Sequence, residues 1–231
     1  MKKISIIMPI FNEEKNITST ITQLFQILTK FKTFLFEIIA VNDGSTDKSL
    51  EILKKYKIKI INHPKRQGYG ASLKDGIENS SYNDIIILDA DGSYPASQLY
   101  QIIKYNGPDS LIIGSRTNYF SLIRHFINKI LALLASLLFQ RWITDLNSGM
   151  RLFKKQIIQQ LNYLTWPNGF SFTTTMTLSC IITNNMVKEI SIRCESRKGE
   201  SKAIIHQLGF NILKIIFRFF KLKYEKRTNF V

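Results

Sequence analysis

The first 116 residues of the chain alternate short apolar runs with segments of helical periodicity. In the first such segment, apolar residues recur at steps of four and three from Ile17 to Phe31, which is one face of a helix. Continuous apolar runs separated by helices indicate βαβ units and a mostly parallel sheet flanked by helices. The chain is therefore predicted to be an α/β protein. The predicted strands are 4–11, 36–41, 57–62, 84–88 and 110–113, and the helices between them are 17–31, 45–56, 68–79 and 96–105.

Polar side chains follow these predicted strands at the point where each strand ends. Because the carboxyl ends of parallel strands meet at one edge of a sheet, ligands bind at that edge. The convergence predicts a binding site built from the strand ends. These residues are Asn12 and Glu13, Asp43, Asp89 and Asp91, and Ser115 and Arg116.

Three of these acids suggest specific chemistry. Asp89 and Asp91 are one residue apart, and Mg²⁺ or Mn²⁺ is often held by one or two carboxylates together with substrate phosphates. Asp43 precedes a glycine and could accept hydrogen bonds from a nucleobase or a ribose. The alternatives are structural, because an aspartate after a strand also forms Asx-turns and caps helices.

Charge is divided unequally along the chain. The formal net charge is +15, but residues 1–109 carry 14 cations and 12 carboxylates, whereas residues 110–231 carry 18 cations and five carboxylates. An excess of this size indicates an anionic partner, which could be nucleic acid, a phosphate ligand or an acidic membrane surface. Two cysteines outside any Cys-x-x-Cys pair and three scattered histidines argue against a disulfide scaffold and a zinc site.

Part of this excess lies in two helical segments. Residues 204–223 have polar positions at steps of four and three, as in a basic amphipathic helix that binds either lipid or a partner protein. Residues 123–139 are helical and apolar, and the run 130–139 could equally be an ordinary core helix. We expect no signal peptide at the start of the chain, and no uninterrupted run of 18 apolar residues occurs. We therefore expect no transmembrane helix.

Several separated motifs occur together in an order and spacing that resemble glycosyltransferase family 2. The resemblance covers about residues 3–203, and it implies the GT-A fold. Three further motifs resemble the branch of polyprenyl-phosphate glycosyltransferases that includes dolichyl-phosphate mannose synthase. The family motifs are 7–14, 41–47, 66–70 and 89–95, and the branch motifs are 114–116, 145–151 and 197–202.

The resemblance implies a role for each matching residue. The nucleotide pocket would be lined by Pro9, Phe11, Glu13 and Asp43. The sugar nucleotide would be contacted by Asp89, Ala90 and Asp91, with Mg²⁺ or Mn²⁺ between Asp89 and Asp91. Phosphates would be bound by Arg116, Arg197 and Lys202, and Asp91 and Arg116 would be catalytic. The acceptor phosphate would meet Arg124, Ser148 and Arg151.

The chain departs from the branch at two positions. Ser93 stands where the branch often has Gln, so metal coordination there would be weaker or mediated by water. Phe11 stands where the branch often has Tyr, which keeps the ring for stacking on a base but removes a hydroxyl contact.

The acceptor can be inferred from acid–base chemistry. A hydroxyl acceptor needs a general base, whereas a lipid phosphate is already an oxyanion near neutral pH and needs only positioning by cations. The second half of the chain is rich in cations, and Asp145 is its only plausible carboxylate in the site. This balance favours in-line attack by a polyprenyl phosphate, dolichyl or undecaprenyl, on the anomeric carbon of a GDP- or UDP-hexose with inversion.

Alternatives remain open at this point. A family 2 enzyme that glycosylates a hydroxyl in a cell-surface glycan would need Asp145 as its base. A nucleic-acid-binding protein fits the charge, but zinc spacing, an aromatic RNA-binding signature and a basic zipper are all missing, so we expect no nucleic acid partner. An inactive homologue is disfavoured by the retained Asp89, Asp91 and Arg116.

Organisation and location follow from the same features. We expect a catalytic domain over 1–203, with a nucleotide-binding half (1–116) and an acceptor half (117–203), followed by a basic amphipathic tail at 204–231. The protein is predicted to lie at the cytoplasmic face of a membrane as a peripheral protein. Attachment would be to an anionic surface directly or through a membrane-anchoring partner protein.

Overall fold

The computed structural model describes residues 1–105, 107, 110–118, 121–196 and 205–228. Within this part of the chain, seven strands form one sheet in the order β3-β2-β1-β4-β6-β5-β7. The strands are β1 (Lys2–Ile10), β2 (Phe34–Asn42), β3 (Lys59–Asn62), β4 (Asp84–Ile87), β5 (Ser110–Arg116), β6 (Arg151–Lys154) and β7 (Met186–Ile192). The helices are α1 (Ile17–Leu28), α2 (Ser49–Leu53), α3 (Tyr69–Glu78), α4 (Leu99–Ile103), α5 (Leu122–Phe139), α6 (Lys155–Gln160), α7 (Phe172–Ile182) and α8 (Ile205–Thr228).

The prediction of a mostly parallel sheet is confirmed. β1 lies between β2 and β4 and is parallel to both, β2 is parallel to β3, and β5 is parallel to β7. The exception is β6, which runs antiparallel between β4 and β5. β6 is absent from the strands predicted from the sequence, because a four-residue strand with two charged ends carries too little periodicity to detect.

The sheet is buried on both faces, as its continuous apolar strands predict. On one face, Ile4, Ile6 and Met8 of β1 pack with residues of α1 and α4. On the other face, Ile7 of β1 packs with residues of α3 and α7. The strand therefore supplies alternate side chains to two separate cores, which fixes its register on the sheet.

Several predicted helices are shorter than expected. The helix predicted over 45–56 is α2, which covers Ser49–Leu53 only. The hydroxyl-rich segment before α2 instead hydrogen-bonds residues 12–14: Asn12 N donates to Ser45 Oγ, and Glu13 N donates to Ser49 Oγ. The segment predicted as a helix over 96–105 begins as a 3₁₀ turn at Ala96–Gln98 and becomes α4.

A third core cluster lies away from the sheet and joins α5, α7 and α8. Leu131 and Ala135 of α5 pack there with Ile212 and Ile216 of α8. By length and composition alone α5 could cross a membrane, with 18 residues and a mean hydropathy of 1.6. The expectation that the chain has no transmembrane helix stays a prediction. That expectation counted only uninterrupted apolar runs, and the polar side chains at 124, 125, 128 and 129 interrupt α5 near its start.

Gly76 of α3 tests the packing of helix on sheet. A Cβ at Gly76 would lie 2.4 Å from Cγ2 of Ile7, which is fully buried in β1. Gly76→Ala should therefore lower the free energy of unfolding by about 1–3 kcal/mol in urea denaturation.

Gly209 of α8 provides the matched control. A Cβ there meets only Ile127 Cγ2, at 3.6 Å, which is ordinary van der Waals contact. Gly209→Ala should leave stability unchanged or raise it by up to about 1 kcal/mol through helix propensity. Equal losses in both variants would contradict the described packing.

Candidate active site

A cleft of about 530 Å³, open to solvent, lies at the carboxyl ends of β1, β2 and β4. It brings together every residue that was predicted to line the nucleotide pocket or to hold the metal. It also includes side chains from the loop before α3 and from the segment before α7. Its lining residues are Pro9, Ile10, Phe11, Glu13, Asp43, Arg66, Tyr69, Ser72, Asp89, Ala90, Asp91 and Phe170.

The loop after β1 is shaped by buried polar contacts. Asn12 has a positive φ of 54°, a conformation that Asn tolerates better than most residues. Glu13 is buried, and its Oε2 accepts a hydrogen bond from Asn16 Nδ2. Asp47 Oδ1 accepts from Ser49 N, the first residue of α2. Glu13 is thus held at the cleft by its own loop.

Asp43 is buried at the end of β2, and its carboxylate binds the loop that precedes α3. Oδ1 accepts from Gln67 N at 2.7 Å, and Oδ2 accepts from Gly68 N at 2.8 Å. Gly68 has a φ of +110°, and a Cβ there would lie 2.5 Å from Asn168 O. The loop therefore reaches Asp43 only because residue 68 is glycine.

Two side chains and one backbone group hold the aspartates after β4. Tyr69 OH donates to Asp89 Oδ1 at 2.8 Å, and Asp91 Oδ1 accepts from both N and Oγ of Ser93. Burial and the adjacent Asp89 charge raise the pKa of Tyr69 well above its usual value, so the phenol stays a donor. A Cβ at Gly149 would lie 1.9 Å from Asp89 Oδ2, so backbone from the 145–151 motif packs directly against this carboxylate.

The donor set fits a divalent cation. Asp89 and Asp91 supply hard oxygen ligands on one cleft wall, which suits Mg²⁺ or Mn²⁺. Among the described residues no group of three or more His, Cys, Asp or Glu side chains could hold a metal alone. A cation here would take its remaining ligands from phosphates and water, as Mg²⁺ commonly does.

Arg116 and Asp145 form a buried ion pair beside this site. Arg116 Nε lies 2.6 Å from Asp145 Oδ2, and Nη2 lies 2.8 Å from Oδ1. Burial alone would raise the pKa of Asp145, but the charge and hydrogen bonds of Arg116 outweigh it and hold the pKa below its usual range. Asp145 is fully buried. The expectation that Asp145 is an available carboxylate in the site is therefore corrected. Arg116 is paired with Asp145 and does not line the cleft.

Ser148 and Arg151, predicted to bind the acceptor phosphate, lie in the interior. Arg151 donates to the carbonyls of Leu146 and Ser148 and to Thr177 Oγ1, and Ser148 Oγ donates to Gly114 O. Both side chains have no exposed surface. This corrects their assignment to direct contact, because their donors satisfy buried backbone instead.

The remaining predicted cations are placed only in part. Arg124 lies half-buried in the first turn of α5, where its backbone N donates to Ser121 Oγ. Its acceptor-phosphate role stays a prediction. Arg197 and Lys202 lie outside the residues that the structure describes.

Sequence analysis missed two contacts of aromatic side chains in the cleft. The Arg66 guanidinium lies 4.3 Å from the centre of the Phe11 ring, and Tyr69 stacks on Phe170 with ring centres 5.2 Å apart. The loop at 66–70 is one of the family motifs, but its spacing does not say which side chain faces inward. Phe170 carries no signal, because single aromatics are usually core residues.

The fold is of the GT-A type, with the cleft at the carboxyl ends of its parallel strands. One similar structure is glucosyl-3-phosphoglycerate synthase from Mycobacterium tuberculosis in complex with Mn²⁺, UDP and phosphoglyceric acid. It has a TM-score of 0.75 and 14% identity, and the match covers 95% of this chain and 78% of that one. The family model for glycosyl transferase family 2 matches residues 5–171. The chain belongs to glycosyltransferase family 2.

Curated relatives include two dolichyl-phosphate beta-glucosyltransferases of Trichomonas vaginalis. One is 27% identical over 237 residues, covering 92% of this chain and 72% of the relative. The other is 27% identical over 179 residues, covering 68% of this chain. The chain spans about half the length of this second relative, at 53%.

A mutant cycle tests the role of Arg116. Arg116→Met removes the guanidinium that pairs with the buried carboxylate of Asp145, so it should lower the free energy of unfolding by about 3–5 kcal/mol. The double variant Arg116→Met, Asp145→Asn also removes the buried negative charge and should be more stable than Arg116→Met alone. Urea denaturation measures both. An Arg116→Met protein as stable as the wild type would show that the ion pair does not form.

Proposed function

We propose that this enzyme transfers a hexose from a nucleotide sugar to a polyprenyl phosphate with inversion of configuration. Two curated relatives that act on dolichyl phosphate support the acceptor class. The observation that carries the proposal is the state of Asp145, which is buried and bidentately paired with Arg116. A hydroxyl acceptor would need a free base, and the one candidate from the acceptor half is engaged.

The cleft residues suggest how the donor is bound. Phe11 and Arg66 form an aromatic and cationic wall, and Asp43 offers a carboxylate for a ribose or nucleobase N–H or O–H. Asp89 and Asp91 face the diphosphate end and would hold Mg²⁺ or Mn²⁺, which would neutralise the charge of the leaving diphosphate.

The transfer needs no general base, because the attacking phosphate oxygen is already ionised. An oxygen of the acceptor phosphate forms a bond to the anomeric carbon while the bond from that carbon to the diphosphate breaks. The electron pair leaves on the nucleoside diphosphate, and inversion follows from attack on the opposite face. The protein's contribution is to position two anionic groups, the acceptor phosphate and the diphosphate of the donor. Arg124, Arg197 and Lys202 are the cations that we propose to bind these phosphates.

A membrane surface is the proposed location of the acceptor. One side of α5 is buried in the third core cluster, yet the opposite side also carries exposed apolar side chains, and an exposed apolar patch of this kind marks an interaction surface. Trp142, just beyond α5, is 83% exposed, as in aromatic residues at lipid interfaces. The exposed apolar residues of α5 are Leu122, Ile123, Phe126, Ile130, Leu133 and Leu137.

The adjacent α8 adds positive charge to the same region. Ile127 lies near Gly209, and Lys223 Nζ donates to Phe139 O, so α5 and α8 run side by side in the same direction. Aromatic and lysine side chains alternate along one exposed stripe of α8, as suits an anionic interface. The stripe consists of Phe210, Lys214, Phe217, Lys221 and Tyr224.

The transferase reaction is tested with a matrix of radiolabelled sugar nucleotides against polyprenyl phosphates. We expect one sugar nucleotide to label a polyprenyl phosphate, and Asp91→Asn to lower the rate at least about a hundredfold because a charge at the diphosphate is lost. Glu51→Gln, an exposed acid on α2, should match the wild type. Labelling of sugar or peptide hydroxyls but never of polyprenyl phosphate would overturn the acceptor.

Flotation with vesicles containing phosphatidylglycerol tests the membrane surface. Phe126→Asp with Leu133→Asp removes two exposed apolar side chains and should reduce vesicle binding at least about tenfold. Tyr100→Asp alters an exposed ring on α4, away from α5 and α8, and should bind as the wild type does. Unchanged binding of the α5 variant would point to attachment through a partner protein instead.

A further inference from the structure

His63 lies between two carboxylates behind the donor cleft. It directly follows Asn62, the last residue of β3 that pairs with β2, and its Nδ1 is 2.9 Å from Asp43 Oδ1. Its Nε2 is 2.8 Å from Asp75 Oδ2 on α3. The side chains of His63 and Asp43 are each 4% exposed, and that of Asp75 is 39% exposed. Both ring nitrogens therefore face carboxylate oxygens at hydrogen-bonding distance.

The number of protons on the ring follows from these contacts. A neutral imidazole has one N–H donor and one lone pair, so one of its nitrogens would direct a lone pair at a carboxylate oxygen. Ionised carboxylates are acceptors only. The imidazolium form satisfies both contacts, since it donates from both nitrogens. Lys74 does not take Asp75 as its partner, because its Nζ binds Trp166 O and Asn168 Oδ1.

The histidine also determines how Asp43 is presented to the cleft. Three donors reach Asp43 among the described residues: His63 Nδ1 and Gln67 N at Oδ1, and Gly68 N at Oδ2. A carboxylate has about two acceptor positions on each oxygen, so Oδ1 is filled and Oδ2 keeps one position. Asp43 lines the cleft, and that position is what it can offer to a ligand.

The loop that Asp43 holds carries the cationic wall of the same cleft. Arg66 precedes the two donating amides and lies over the Phe11 ring. A Cβ at Gly44 would lie 2.5 Å from Arg66 N, so the loop packs directly on the backbone after Asp43. Rotation of the Asp43 carboxylate would therefore turn the remaining Oδ2 acceptor position away from the cleft. It would also break the hydrogen bonds that hold the loop bearing Arg66.

We propose that His63, held as an imidazolium by Asp75, is a positioning residue that orients Asp43 and the 66–68 loop for the nucleoside part of the donor. The inference rests on the proposed function, because it assigns the cleft to a nucleotide sugar. His63 acts through Asp43 and does not touch the substrate itself. Its loss should weaken nucleotide affinity and leave the chemical step unchanged.

Calorimetric binding of UDP and GDP in the presence of Mn²⁺ tests the role of His63 without any acceptor. His63→Gln keeps one hydrogen-bond donor and turns an amide oxygen toward the other carboxylate. Nucleotide affinity should therefore fall about tenfold, which corresponds to the loss of one charged hydrogen bond. In turnover assays the KM for the nucleotide sugar should rise by a similar factor with kcat within about twofold. The control His125→Gln, on α5, should bind nucleotide as the wild type does.

Asp75→Asn provides a second variant that keeps the size of the side chain. Asn can donate to His63 Nε2, so a neutral ring could still donate from Nδ1 to Asp43. Affinity should fall by about threefold, less than in His63→Gln. In ¹⁵N NMR spectra of histidine-labelled protein at neutral pH, both ring nitrogens of His63 should carry protons in the wild type, and one should in Asp75→Asn.

The outcomes separate two failures. Wild-type protein that binds neither nucleotide would contradict the proposed donor class, and with it the role given to His63. Wild-type binding that is unaffected in His63→Gln and Asp75→Asn, or a singly protonated His63 in the wild type, would contradict the inference alone. A fall in kcat together with an equal rise in the KM for the acceptor would show that His63 supports the fold and not the nucleoside pocket.

Discussion

The geometry of the cleft depends on one short segment, residues 66–70, that is hydrogen-bonded to three parts of the fold. Its amides at 67 and 68 bind Asp43, the Tyr69 hydroxyl binds Asp89, and Gly70 N donates to Asn168 O. A Cβ at Gly70 would lie 2.3 Å from Pro167 O, so the approach to 167–169 requires glycine. The segment therefore fixes the two aspartates, from different strand ends, relative to each other.

The second half of the chain contributes to this cleft mainly through buried side chains that hold the loop 145–151 in place. Arg151, which has no exposed surface, donates to the carbonyls of Leu146 and Ser148, and Gly149, which follows Ser148, packs on Asp89. Arg116 holds Asp145 at the start of the same motif. Arg116 and Arg151, which the motifs suggest as phosphate ligands, thus instead hold the loop 145–151 against the carboxylate of Asp89. Their positive charge is largely neutralised or bonded within the protein.

Much of the sheet and the edge that bears the site could be predicted from the sequence. Continuous apolar runs identify β1, β2 and β4, and parallel topology places Asp43, Asp89 and Asp91 at one edge. The partners of side chains were not predictable, because a motif gives spacing but not the direction of a rotamer. Arg116 illustrates this, since nothing local indicates that Asp145, 29 residues later, accepts its guanidinium. The exposed stripe of α5 was missed for a related reason, since periodicity shows that a helix is apolar but not which side is covered.

The central claim is that the carboxylates after β4 bind a divalent cation together with a nucleoside diphosphate. Electron paramagnetic resonance of Mn²⁺, titrated with protein in the presence of UDP or GDP, measures this directly. The account predicts that one Mn²⁺ per chain becomes bound when nucleotide is added, and that Asp91→Asn abolishes this nucleotide-dependent binding. Mn²⁺ that binds equally well to wild type and Asp91→Asn, or that does not bind with either nucleotide, would contradict it.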